Sequence, residues 1–307
     1  MSTVRLAPED FTPVSVDEKQ ADAITRPPIG YWQDVWMRFR KNRLALIGLA
    51  ILAVMGFMAI IGPMIGQWDY REMDEGHSNE FMSARHWFGT DYLGRDMFVR
   101  LWFGTRISVF IGITAALLDL IIGVAWGGIS GYFGGAVDDA MMRVVDVLYG
   151  IPYLLVVILL LVVMEPGLAS IILAMSLTGW AGMARLVRGQ VLQLKEMEYV
   201  LAARAIGASP RRIISRHLVP NTMGVILVNL TMTIPGAIFA EAFLSFIGLG
   251  VPMPLASLGT LANEGYQVLL VYPHNLTVPA AAISLLILSF NFVGDGLRDA
   301  LDPRLRQ

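Results

Sequence analysis

The chain has 307 residues, of which 55% are hydrophobic and only 16% charged, and its formal net charge is −2. So little polar surface cannot cover so much apolar side chain in a water-soluble domain of this size, and the composition places the protein in a bilayer. The near-neutral charge gives no basis for a nucleic-acid partner, and the absence of cysteine removes disulfides and cysteine-based metal sites.

Residues 1–30 are read as a cytoplasmic tail. Glu9, Asp10, Asp17, Glu18 and Asp22 punctuate it without an apolar core, the pattern of neither a cleavable signal nor a transit peptide. Over 31–43, Trp32, Val35, Trp36 and Phe39 recur at helical spacing beside Arg38, Arg40, Lys41 and Arg43, which predicts an interfacial helix resting on inner-leaflet lipid. Runs long enough to cross a hydrocarbon core of ~30 Å follow at 44–66, 107–128, 147–164, 168–187, 222–246 and 277–293. They predict an all-α membrane protein with six transmembrane helices in one domain over 44–295, with both termini on one side. Outer loops are expected at 67–106 and 247–276, a long inner loop at 188–221, and a cytoplasmic tail at 296–307. Pro152 and Pro235 are candidate bends within spans.

Orientation follows from the basic residues. Of 23 Lys and Arg, eighteen fall before the first span, at Arg143, between Arg185 and Arg216, or at the end of the chain; the other five are Arg71, Arg85, Arg95, Arg100 and Arg106. The positive-inside rule therefore makes the termini and the 188–221 loop cytoplasmic and turns 67–106 and 247–276 outward.

Within the inner loop, Glu198 to Asn221 reads as a helix, a turn and a second helix. Tyr199, Ala202, Ala203 and Ile206 recur at helical spacing, Gly207 is placed to end the first helix, Ser209 to cap the next, and Pro210 to occupy its first position. Ala202 and Ala203 are expected to leave a shallow surface on which a partner could dock. The segment resembles the EAA loop of ABC-importer permeases, the element through which an ATPase subunit moves a transmembrane subunit. The match includes Ala202, Ala203, Gly207 and Pro220; Leu201 stands where the pattern has an acid, and Glu198, one turn earlier, is the acid available.

Other stretches narrow the resemblance to the peptide-importer branch. His86-Trp-Phe-Gly-Thr-Asp-Tyr-Leu-Gly-Arg-Asp96 is similar to that branch's outward GTDxxGRD signature, and Gly131-Tyr-Phe-Gly-Gly135 and Gly294-Asp-Gly-Leu-Arg-Asp299 also fit its pattern. Met183 to Gln190 and Phe243 to Gly250 look closest to the OppC/DppC family of oligopeptide and dipeptide permeases. The resemblance implies the type I ABC-importer permease fold and a non-catalytic subunit in a bacterial cytoplasmic (inner) membrane. It further implies a homologous second permease subunit, two ATPase subunits that bind the ATP and Mg, and an external peptide-binding protein. Oligopeptides are the expected cargo, with dipeptides, glutathione or a nickel complex as alternatives.

The remaining candidates have plain physical readings. Asp91, Arg95 and Asp96, beside Gly89 and Gly94, can form a compact outer turn, serving as a structural clasp or a ligand site. Asp138 or Asp139 can pair with Arg143 one turn on. Asp119 and Glu241 fall inside spans, where a charge costs at least ~2.5–3.5 kcal/mol on insertion scales, so each is expected either to pack through a hydrogen-bonded pair or to line a pathway. The chain lacks a P-loop, which leaves no cradle for ATP phosphates. Gly128-Ile-Ser-Gly131 has the form found in rhomboid serine proteases, but a serine nucleophile needs a base, and His77, His86, His217 and His274 are all expected in loops. A solitary ion-driven carrier is the third reading, and neither an internal repeat nor a use for the inner loop supports it.

Overall fold

The computed structural model describes residues 30–301, so the expectations for 1–29 and 302–307 lie outside the described residues. Helix α1 (Tyr31–Phe39) precedes α2 (Arg43–Ile65), and a long outer segment then leads into α3 (Met97–Phe133). Then come α4 (Gly135–Gly150), α5 (Tyr153–Val163), α6 (Leu168–Leu194), α7 (Glu198–Ala205) and α8 (Pro210–Ile213). A π-turn (Ile214–Leu218) joins α8 to α9 (Val219–Leu244), and a second (Ser245–Leu249) follows α9. The last helices are α10 (Leu258–Gln267) and α11 (His274–Leu301). Among the described residues the one feature of β type is an isolated antiparallel bridge between Thr90 and Asp96.

Among the described residues five helical stretches are long and apolar enough to span a bilayer, and the count is six if α4 and α5 together make one span. Those two meet at an angle of 84°. The span expected over 147–164, with Pro152 as a candidate bend, is therefore a bent pair. Its cause is Pro152, which has no N–H to donate and forces Ile151 into extended backbone at φ −104°, ψ 132°. Pro235 does not interrupt α9.

Several boundaries also move. Helix α3 begins at Met97, ten residues before the expected span, because Asp96 caps it by accepting from Val99 N at 2.8 Å. The outer loop thus ends there rather than at 106. Helix α6 continues through Gly179, Trp180 and Gly182 to Leu194, well into the expected inner loop, and the second outer loop contains α10. The helix expected over 31–43 stops at Phe39, since Asn42 caps α2 by accepting from Ala45 N at 3.1 Å. On α1, Val35 and Phe39 are buried against Ala45, Ala300 and Leu301, while Trp32 and Trp36 are left exposed. Residues 296–301 belong to α11 and not to a tail.

The most extensive helix pair is α3 with α6. Gly123, Gly127 and Gly131 recur every four residues along α3, and a Cβ on Gly127 would stand 2.3 Å from Ala184 O of α6. This small-residue ridge lets the two backbones approach as in membrane helix pairs generally. Around it, α9 and α2 pack on α3, and α11 packs on α2, α9 and α10.

Candidate functional site

Helix α7 is closed by a Schellman motif. Ala208 N donates to Ala203 O at 3.0 Å, Gly207 N donates to Arg204 O at 2.9 Å, and Gly207 has φ +81°. Ser209 then caps α8 by accepting from Arg212 N at 3.4 Å, with Pro210 in the first turn. The whole element is fastened to the bundle, because Val200, Ala203 and Ile213 are buried with Met183, Val187 and Val191 of α6 and Ile226 of α9.

Burial divides the expected docking residues. Glu198, Tyr199, Ala202, Gly207, Ser209 and Pro210 are exposed, and Ile206 is 86% exposed. Ala203 is not on this surface. It shares the inward face with Val200, three residues before it, and its small side chain sets how closely α7 approaches the bundle. Leu201, exposed at 45%, lies on the outer surface with the others.

Behind α7 the ends of three helices are tied together. Arg188 of α6 donates to both carboxylate oxygens of Asp138 at 2.6 Å, Ser130 donates to the same carboxylate, and Lys195 Nζ donates to Gly131 O at 3.0 Å. Asp138 therefore pairs across the bundle and not with Arg143, because the bidentate guanidinium of α6 reaches it first. Its partnership with Ser130 also removes the protease reading, since no histidine approaches that hydroxyl among the described residues. The histidines expected in loops are not all there: His217 lies in the π-turn before α9 and His274 opens α11.

At the opposite end of α3, Asp91, Arg95 and Asp96 form a clasp. Asp91 Oδ1 accepts from Leu93 N at 2.8 Å and Arg95 N at 3.0 Å, and Asp91 Oδ2 accepts from Arg95 Nε at 2.7 Å and from Arg100. Both arginines also reach Glu264 of α10, Arg95 at 3.2 Å and Arg100 at 2.7 Å. Besides capping α3, Asp96 faces His86 Nδ1 at 2.9 Å, and His86 Nε2 faces Asp74 at 3.3 Å. Burial alone would raise the Asp74 carboxyl; the His86 hydrogen bond, with Arg85 and His77 nearby, outweighs it and holds Asp74 below its ordinary range. Sequence reading missed Glu264 and the buried role of Arg100. The partners lie 164 residues apart, and Arg100 counted only as one charge of the outer face.

The two intramembrane acids differ. Glu241 is fully buried and accepts from Ser108 Oγ at 2.6 Å and Ser245 Oγ at 2.7 Å, with Ser257 behind Ser245 at 3.2 Å. It packs through hydrogen bonds. Asp119 is also buried, yet its Oδ1 has no partner and it borders a cavity of about 260 Å³ lined by residues of α3, α4, α6 and α9.

Residues 123–307 match the family described as the binding-protein-dependent transport system inner membrane component, and residues 30–81 match the N-terminal transmembrane domain of oligopeptide transport permease C. The chain is 53% identical over 297 residues to the oligopeptide transport system permease protein OppC of Bacillus subtilis, covering 97% of each. It is 54% identical over 290 residues to the dipeptide transport system permease protein DppC of the same organism, covering 94% of this chain and 91% of the other. OppC of Escherichia coli is 42% identical over 277 residues, 90% of this chain and 92% of that one. An inward-facing structure of the MetNI methionine ABC transporter superposes with a TM-score of 0.53 at 21% identity, over 66% of this chain and 96% of that chain, a likeness that speaks for the type I fold. With the family matched over more than half the chain and relatives above 50% identical over nearly all of it, the protein belongs to the non-catalytic, multi-pass permease subunits of ABC importers, in their oligopeptide and dipeptide branch.

Proposed function

We propose that this chain is the membrane subunit through which peptides, oligopeptides foremost, are imported across a bacterial cytoplasmic membrane. The family works with ATPase subunits, a partner permease and a binding protein. In our reading the partners are two ATPases that hold the ATP and Mg, a homologous second permease subunit, and an external protein that delivers the peptide. This chain binds no cofactor. The observation that carries the reading is the exposed surface of α7 and its turn, where Tyr199, Leu201 and Ile206 present apolar side chains on an element rigidly fastened to α6 and α9. Such a patch on a membrane protein's aqueous face marks a partner site. A closing ATPase pressing there would move the helices behind it.

Reconstitution tests this. The chain alone in liposomes is expected to show neither ATP hydrolysis nor ATP-dependent uptake of a labelled peptide. Adding the ATPases, second permease subunit and binding protein should produce both. Accumulation by the lone chain on a proton or sodium gradient would overturn the reading. A dipeptide cargo is the second reading, favoured by the near-equal identity to DppC, and a length series of labelled peptides in the same assay separates the two.

The orientation is part of the proposal. Both termini and α7 are placed in the cytoplasm, and the clasp around Asp91 outside. A reporter active only outside the membrane should work when fused at Asn79 or Gln267 and fail at Gly207 or after Gln307. The reverse pattern would remove any contact between α7 and a cytoplasmic ATPase.

A further inference from the structure

Five acidic residues are buried among the described residues, and four have partners. Asp91, Asp96 and Asp138 accept from arginine, histidine, hydroxyl or backbone donors, and Glu241 takes two serine hydroxyls. Asp119 is the exception: it is 8% exposed, its Oδ1 has no hydrogen bond, and no ion pair reaches it. An acid retained for packing would be expected to look like Glu241. A buried acid at this depth with an unpartnered oxygen carries the cost of its burial with no ion pair among the described residues to offset it.

The buried carboxylate rests on Gly179 of α6 and borders the cavity. A Cβ on Gly179 would stand 2.2 Å from Asp119 Oδ2 and 2.7 Å from Oδ1, so the carboxylate is seated in the space that a side chain at 179 would take. Around the same cavity stand Tyr149, Gly182, Asn229 and Thr233, which offer hydroxyl and amide groups beside the single negative charge. A second recess of about 330 Å³ continues from it, sharing Tyr149, Gly179 and Gly182. Together they reach the size of a small-molecule site. Arg185 of α6, which lies over the Tyr149 ring at 3.9 Å, pairs with Asp146 at 2.6 Å.

We propose that Asp119, with the polar groups of Tyr149, Asn229 and Thr233 around it, forms a subsite within the membrane that takes the ammonium group of a peptide in transit. The inference rests on the peptide reading above and adds to it a recognition step made by this chain. An amine bound there supplies the N–H donors that Asp119 Oδ1 lacks, and the cavity of about 260 Å³ has room for one end of a peptide.

The chain has no cysteine, so Leu186→Cys places a single thiol on it, on the wall of the same cavity and outside the polar groups of the subsite. In the assembled importer in lipid nanodiscs, labelling of this chain is followed by mass with ammonium-bearing aminoethyl methanethiosulfonate and with neutral methyl methanethiosulfonate. The ratio of cationic to neutral rates should be about tenfold or more higher with Asp119 than in the Asp119→Asn variant, the scale expected for a charge in a medium of reduced dielectric. Trialanine should protect the thiol in the presence of Asp119 and fail to protect it in the Asn variant, and N-acetyl-trialanine should protect in neither. An N-acetylated peptide carrying lysine then identifies the source: protection assigns the site to any primary ammonium, and its absence assigns the site to the α-amine. If Asp119→Asn prevents assembly, Gly179→Ala is the second variant. It should lower the cationic preference while the neutral reagent still labels. An unchanged rate ratio, or equal protection by N-acetyl-trialanine, overturns the subsite. Failure of the unmodified importer to take up peptides overturns the cargo reading instead, so the two are separable.

Discussion

Replacing Arg100 with alanine is expected to destabilise the half of the subunit around the start of α3 by about 3–5 kcal/mol, the range found when one partner of a buried ion pair is removed. Arg100 is fully buried, donates to Asp91, and places two N–H groups on Glu264 at 2.7 and 3.1 Å. Without it, two carboxylates face each other with Arg95 as their only shared cation. The damage should spread beyond one helix, because Asp91 anchors the loop before α3 and Glu264 belongs to α10. The measurement is the midpoint of thermal unfolding of the assembled complex, followed by size-exclusion chromatography after heating. A second variant decides the mechanism: adding Glu264→Ala to Arg100→Ala should recover part of the loss, since the orphaned charge leaves with its partner. A variant that melts with the unmodified complex would show that the cluster is not what holds α10 to the loop.

The clasp also shows where sequence ends as a guide. Asp91, Arg95 and Asp96 sit within one turn, so their mutual bonds follow from local spacing, and Asp96 at a helix start follows from capping chemistry. Glu264 belongs to the same cluster, but nothing local announces a contact across 164 residues. The α7 element was legible for the converse reason. A Schellman turn, a serine cap and a first-turn proline are each specified by adjacent residues, and all three occur in the structure. Which face of α7 turns inward was not legible. Ala202 and Ala203 are chemically identical, and only the packing of Val200 and Ile213 against α6 decides that Ala203 is the covered one. Hydropathy located the apolar runs but not their breaks: it could not tell that Pro152 bends its run sharply while Pro235 leaves its helix continuous. The glycine ridge on α3 takes its meaning from the backbone of α6 at Ala184 and Arg188, which no local spacing announces.

Gly207→Val is expected to reduce ATP-driven peptide uptake about tenfold or more while leaving membrane insertion intact, where tenfold corresponds to about 1.4 kcal/mol. The residue holds φ +81°, and a Cβ there would meet nothing within 4 Å, so the penalty comes from the backbone and not from collision. Left-handed backbone costs an ordinary residue about 1–2 kcal/mol, and a β-branched one is a true outlier there. Valine would relieve that strain by opening the turn, which loses the bonds from Gly207 to Arg204 and from Ala208 to Ala203. Ile206, Ser209 and Pro210 would then leave the positions in which they face the proposed ATPase, although Val200 and Ile213 still hold the two helices to the bundle. Gly207→Asn separates conformation from size, because asparagine tolerates the left-handed region and should retain most of the uptake. Uptake, ATP hydrolysis and ATPase co-purification are measured on the same reconstituted samples. Loss of uptake in Val with retention in Asn assigns the effect to the turn. Wild-type uptake in Gly207→Val would show that the geometry of this turn is not used in coupling.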